Sequence, residues 1–166
     1  MNKAALLGQR EYFDMVHNVT LRAIEGFSDA ELDFRPADKM RSPRELIYHI
    51  YTFEKFIADG VPKGKFSPAL EATVNPEDEG AKPILAALDT VAKLQDYARE
   101  CHNLANDAAQ TLSDEELARL VEAPYGSFPG WQFFAFAYDE HWHHRGQLYT
   151  YLRLLGKEPL MLYSYE

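Results

Sequence analysis

Four long stretches of this chain repeat their apolar residues every three or four positions, and none alternates with period two for long enough to build a sheet. A stripe with that period is buried by packing on other helices, so the chain reads as all-α. The first stretch covers about residues 3–26, with Leu6, Tyr12, Phe13, Val16, Val19, Leu21 and Ile24 on its face and Gly26 placed to end it. The second opens on Ser42-Pro43-Arg44-Glu45, an N-cap serine, a first-turn proline and a capping-box glutamate. Leu46, His49, Ile50 and Phe53 share its stripe, and Gly60 and Pro62 are expected to stop it near Asp59. The third is expected over about 81–111, with Leu85, Leu88, Val91, Leu94, Tyr97 and Leu104 on one face. The fourth runs over about 131–155. Ser28-Asp29-Ala30-Glu31 and Ser113-Asp114-Glu115-Glu116 have capping-box spacing and open only short helical pieces. Residues 61–80, with three prolines, read as a long loop, and residues 124–130 as a turn-rich connection with a short extended segment. The expectation is a single domain over 1–166: a four-helix bundle with a long, crossover-type connection between helices 2 and 3.

Composition narrows the partners. The formal net charge of -9 repels phosphate backbones and disfavours nucleic-acid binding. The single cysteine, Cys101, excludes an internal disulfide and a cysteine-rich zinc site. No apolar run reaches the length of about 18 residues that a membrane span needs, and no secretory leader is recognisable, so a cytoplasmic protein is expected.

Chemistry concentrates near the C-terminus, in Glu140-His141-Trp142-His143-His144-Arg145-Gly146-Gln147. Three of the six histidines sit there within four residues, beside a carboxylate. Imidazole and carboxylate are common ligands of Zn, Ni, Fe and Mn. Leu148, Leu152 and Leu155 mark the buried stripe of the last helix, and extending it backwards leads to His144, then Glu140 or His141, then Ala137 and Phe134. His143 stands about 100° away from His144 and is expected outside the site. Gln147, one turn on, is placed to orient a ligand. His49 lies on the buried stripe of the second helix, so the residues predict a metal clamped between two helices. His17 and His102 read as surface or rim residues, and Arg145 as a surface or interhelical ion-pair partner. Glu140 and His143 form one Glu-x-x-His pair, but a di-iron carboxylate site needs a second pair, which is missing.

Ser42-Pro43-Arg44-Glu45-Leu46-Ile47-Tyr48-His49-Ile50 and the run His143-His144-Arg145-Gly146-Gln147-Leu148-Tyr149-Thr150-Tyr151-Leu152 resemble the second-helix and last-helix signatures of the DinB-like, or YfiT-like, family. The family is named after a DNA-damage-inducible relative. The resemblance implies a four-helix bundle holding a divalent metal, commonly Ni or Zn, on one histidine of the second helix and a His-x-x-x-His pair of the last. His49 matches the first position and His144 the last. The middle position falls on Glu140 instead of histidine, which implies a two-histidine, one-carboxylate site, with His141 as the alternate ligand.

Characterised members of the resembling family include thiol S-transferases that use low-molecular-weight thiols. The resemblance therefore implies a metal-dependent transferase that activates a small-molecule thiol toward an electrophile. A metal-dependent hydrolase or a non-enzymatic stress-response binding protein is the alternative. Tyr48, Tyr51, Phe134 and Trp142 are expected to wall an apolar pocket beside the metal. Flat bundle faces and a high aromatic content point to a homodimer, as often found in the resembling family.

Overall fold

The computed structural model describes residues 1–161. Helix α1 spans Lys3–Glu25, α2 Pro43–Lys63, α5 Val91–Thr111 and α7 Gly130–Leu154, and these four form the bundle. Three short helices, α3 (Pro68–Glu71), α4 (Lys82–Ala87) and α6 (Asp114–Ala118), lie in the connections, with a 3₁₀ turn at Asp29–Glu31. The only sheet among the described residues is an antiparallel hairpin, β1 (Leu120–Ala123) with β2 (Gly126–Pro129). No helix of the described chain is long and apolar enough to cross a membrane.

Side-chain contacts give the helix directions. Arg10 and Asn106 meet near the start of α1 and the end of α5, while Gln95 bonds to Leu21 and Glu25, so α1 and α5 are antiparallel. Tyr48 stacks near Tyr97 and Glu54 bonds His102, so α2 and α5 run parallel. Tyr51 meets His141 and Phe66 meets Phe133, so α7 opposes α2. The order is up, down, down, up. The parallel pair α2–α5 is what requires a long return connection, and residues 64–90 supply it, packing back against α2 through Tyr48 Oη on the Thr73 carbonyl.

The start signals work as read. The side chains of Ser42 and Glu45 cap each other's backbone, as do Ser113 and Glu116. Helix α2, however, continues past Gly60 and Pro62 to Lys63 and closes on Gly64 in the left-handed conformation at φ 73°. Gly60 serves close packing instead of termination: a Cβ there would meet the Phe66 ring at 2.0 Å. The ring of Phe66 stacks on Phe56 at 3.9 Å, and Arg119 donates to the Val61 and Pro62 carbonyls of the last turn. The expected third helix is two. It breaks at Leu88-Asp89, and Thr90 caps a new start by accepting from Lys93 N–H while Asp29 accepts from Val91 N–H. Within α5 the buried stripe follows Leu94 at four, seven and eleven residues through Ala98, Cys101 and Ala105, and Leu104, about 80° off that stripe, is exposed.

The interior is not wholly apolar. His17 and His102, expected at the surface or rim, are buried, and so is Arg145, expected at the surface or between helices. Arg10 of α1 pairs with Glu54 of α2 at 3.0 Å, Glu54 bonds His102 Nδ1 of α5 at 2.9 Å, and His102 Nε2 bonds Asp14 at 2.8 Å. Asn106 closes the ring, donating to Asp14 and accepting from Arg10. His17 stacks on His102 with ring centroids 4.0 Å apart, and its Nδ1 meets Tyr51 Oη at 2.9 Å. Arg145 lies over the Trp142 ring at 4.1 Å and donates to the Val16 carbonyl of α1. Polar partners on neighbouring helices are what let these side chains leave water.

Two outcomes follow. Burial works to raise the Glu54 carboxyl's pKa, but the His102 and Arg10 charges outweigh it and hold the group well below the usual carboxylate range. Glu54→Gln, which strands Arg10 and His102 in the interior, is expected to cost roughly 3–5 kcal/mol in denaturant unfolding. Burial, then the neighbouring His102 charge, lower His17 to about 3. The unfolded chain therefore binds a proton below about pH 6.5 that the folded chain refuses. Stability conferred by neutral His17 is complete above that pH and falls as pH drops toward 3. Melting temperatures across this window should decline, and less steeply for His17→Gln.

Candidate metal centre

Helix α2 carries His49 and α7 carries Glu140 and His144, on faces that meet because the two helices pack side by side in opposite directions. His144 Nε2 lies 3.0 Å from Glu140 Oε2, and His49 Nε2 lies 3.5 Å from the same oxygen. The two imidazole rings sit 5.1 Å apart, nearly perpendicular at 81°. One ligand atom from each of the three residues falls within 4.8 Å of the others. The histidine side chains are largely buried, whereas Glu140 keeps 41% of its side chain accessible. Burial of the donors with one open side is the arrangement that lets an exogenous molecule reach a bound ion.

Each histidine is oriented from behind. His49 Nδ1 is 3.0 Å from the Val74 carbonyl, and His144 Nδ1 is 2.7 Å from Gln147 Oε1. A carbonyl oxygen only accepts, so Nδ1 carries the proton on both rings. In the neutral imidazoles this leaves the Nε2 lone pairs aimed at Glu140, the tautomer and orientation that a metal ligand requires. Two lone pairs and a carboxylate around one point repel one another unless a cation or protons stand between them. In the absence of an ion, protons on Nε2 can take that place, and the hydrogen bonds that His144 and then His49 donate in that form hold Glu140 well below the usual carboxylate range. The donor set thus fits a divalent ion of the Zn, Ni, Fe or Mn type.

His141 does not join the trio. It is fully buried about 100° further round α7 than Glu140, with Nε2 2.5 Å from Thr20 Oγ1 of α1 and its ring edge-on to Phe13 and Tyr51. Helix phase from sequence did not separate it from Glu140; contact with α1 does. His143 is exposed, as its angle from His144 predicts. Gln147 holds His144 in place.

A cavity of 690 Å³ opens beside His49 and Glu140. Its apolar wall is Phe53, Phe56, Phe136, Tyr125, Pro124 and Val74. The four aromatic residues expected there lie elsewhere. Tyr48, Tyr51 and Phe134 are core residues with almost no exposure, and Trp142 lies under Arg145. The difference has a physical reason. The hairpin β1–β2 presents Pro124 and Tyr125 from its two-residue turn, and the crossover brings Glu71, Val74 and Asn75 over α2. Neither segment has helical periodicity, so neither signalled a wall. Burial first, then the charges of Glu140 and Glu71, push the Tyr125 hydroxyl up to about 12, so it keeps its proton at neutral pH.

A Bacillus subtilis (strain 168) protein, YjoA, described as uncharacterized, is 26% identical over 147 residues, covering 89% of this chain and 88% of its own length. The crystal structure of the dinb-like protein YjoA from Bacillus subtilis superimposes with a TM-score of 0.70 at 22% identity, over 92% of this chain and 94% of that one, which establishes the shared fold. The model of the DinB superfamily matches residues 12–148, from within α1 to within α7 and so including His49, Glu140 and His144, and the chain belongs to that superfamily.

Proposed function

We propose that this chain is a metal-dependent enzyme, a transferase that activates a low-molecular-weight thiol toward an electrophile. The observation that carries the reading is the convergence of His49, Glu140 and His144, both imidazoles oriented through Nδ1, at the edge of a cavity large enough for a small organic molecule. Two histidines and one carboxylate form a three-ligand site, the pattern of catalytic centres that keep a coordination position open. Zn or Ni is the proposed ion, with Fe and Mn admitted by the same donors. When bound, such an ion lowers the pKa of a thiol and so supplies a thiolate at neutral pH.

The protein's own residues do the rest. Phe53, Phe56 and Phe136 give the cavity an apolar wall, against which charge interactions are stronger than in bulk water. Tyr125 remains a hydrogen-bond donor at the cavity wall, able to stabilise charge that develops on a leaving group. Cys101 is not the nucleophile. It is buried on α5, and burial leads the causes that push its thiol up to about 12.

Metal titration of protein purified without a histidine tag tests the site directly. His49→Ala, Glu140→Ala and His144→Ala are each expected to abolish tight binding. Gln147→Leu should weaken it by roughly 10–100-fold, the usual effect of losing an orienting partner. His141→Gln should leave metal affinity unchanged, and a larger loss there than in Glu140→Ala would reject the assignment. Activity is tested by conjugation of several thiols to a model electrophile, with metal-loaded and chelated protein side by side. Metal-dependent conjugation lost in His49→Ala and His144→Ala is the expected result. Conjugation no faster than free metal, with ester or amide hydrolysis present instead, would replace the transferase with a hydrolase.

A further inference from the structure

We propose that the cavity beside His49 and Glu140 selects an organic cation: an ammonium group on an aryl or alkyl body. The inference rests on the reading above only in taking this cavity as the place where the electrophilic reactant sits.

The cavity has the volume of a small-ligand pocket. Three features of its lining act in the same direction. First, four of its wall residues are aromatic: Phe53, Phe56, Tyr125 and Phe136. Phe136 meets the Phe128 ring edge-on at 5.2 Å, and Phe53 stacks near Phe56, so these rings are held by packing and are already in place before a ligand arrives. Aromatic faces carry negative potential and attract cations, most strongly where water is excluded.

Second, the charged groups of the lining are all acidic. Glu71, Asp139 and Glu140 face the space, and among the described residues no lysine or arginine lines it. An anionic group entering here would meet carboxylates and find no guanidinium or ammonium to receive it. The Tyr125 hydroxyl registers this field, because the charges of Glu140 and Glu71 both add to the effect of burial in raising it.

Third, the charges do not cancel when an ion is present. Glu140 belongs to the ligand set, whereas Glu71 and Asp139 do not, and among the described residues neither of them forms an ion pair. A divalent ion exceeds the charge of Glu140 by one, so with Glu71 and Asp139 the cavity keeps a net negative charge when loaded and a larger one when the ion is removed. The net charge of the chain, -9, adds a surrounding field that concentrates cations and depletes anions. An alkyl or aryl body against the phenylalanines, with its ammonium toward Glu71 and Asp139, satisfies both halves of the lining at once.

The test compares two probes of the same body and opposite charge, benzyltrimethylammonium and phenylmethanesulfonate. The quaternary nitrogen has no lone pair and sulfonate is a weak ligand, so neither reports on the metal. Calorimetric titration of full-length protein, chelated and metal-loaded, should show the ammonium binding about tenfold or more tighter than the sulfonate, the factor expected from one well-placed charge contact. Glu71→Gln with Asp139→Asn, both accessible positions, should erase most of that preference while melting temperature and metal affinity stay as in the parent. Phe136→Ala should weaken the ammonium without creating affinity for the sulfonate. Equal or tighter sulfonate binding, no ammonium binding at millimolar concentration, or an unchanged preference in the double variant would each overturn the proposal. A protein that selects the ammonium but holds no metal refutes the enzyme reading alone. One that holds metal at His49, Glu140 and His144 yet shows no charge preference refutes this inference alone.

Discussion

Glu54 is the residue on which the arrangement of this bundle depends. A carboxylate without exposure is tolerable only where opposite charge and hydrogen-bond donors surround it. Arg10 comes from α1 and His102 from α5, so satisfying Glu54 fixes three helices at one height and in one rotation. An apolar contact would leave the helices free to slide by a turn at small cost, since one leucine fits against another almost as well as its neighbour does. A charged ring closed through Asp14 and Asn106 has one register that satisfies it.

That register reaches the candidate metal centre through α2. Glu54 and His49 share this helix, and Glu54 ties it to α1 and α5 while His49 meets α7. Below and above the polar ring the core is ordinary: one cluster around Leu46, Ile50, Leu94 and Leu148, another around Ile57, Val61, Phe133 and Phe134. Apolar burial supplies the bulk of the driving force, and the polar ring selects which of the near-equal packings is occupied. The two polar centres differ in kind. The ring at Glu54 is closed on itself, whereas the trio at Glu140 points its lone pairs at a common space and remains open to the cavity.

Legibility varied along the chain for identifiable reasons. Helices with strong local signals were readable: Ser42 and Ser113 cap where their spacing says, and Gly26 ends α1. The break at Leu88–Thr90 was missed because the apolar spacing runs through it; only the Thr90 cap, a single residue, marks it. Gly60 and Pro62 misled because both are usual helix stops, yet here Phe66 needs the space at Gly60 and Arg119 receives the carbonyls near Pro62. His17 and His102 read as surface or rim residues, and Arg145 as surface or interhelical, because polar side chains are usually exposed. Their burial depends on partners more than thirty positions away in sequence.

The amino-acid sequence by itself determined the all-α class, the starts of the capped helices, the long connection between the second and third bundle helices, and the candidacy of His49 with Glu140 or His141 and His144. All of these follow from periods of three to four residues and from capping residues, which act over one or two turns. Helix phase left Glu140 and His141 open and the family resemblance favoured Glu140; tertiary structure supplies the physical reason for the choice. The two stand one residue apart on α7, and only the packing of α1 against one side and α2 against the other turns Glu140 toward His49 and His141 toward Thr20. It also decided what walls the cavity, because Tyr125 and Glu71 sit on segments whose course is set by contacts with distant helices, not by any local period. A helix encodes where its own side chains point, but what they point at belongs to the chain as a whole.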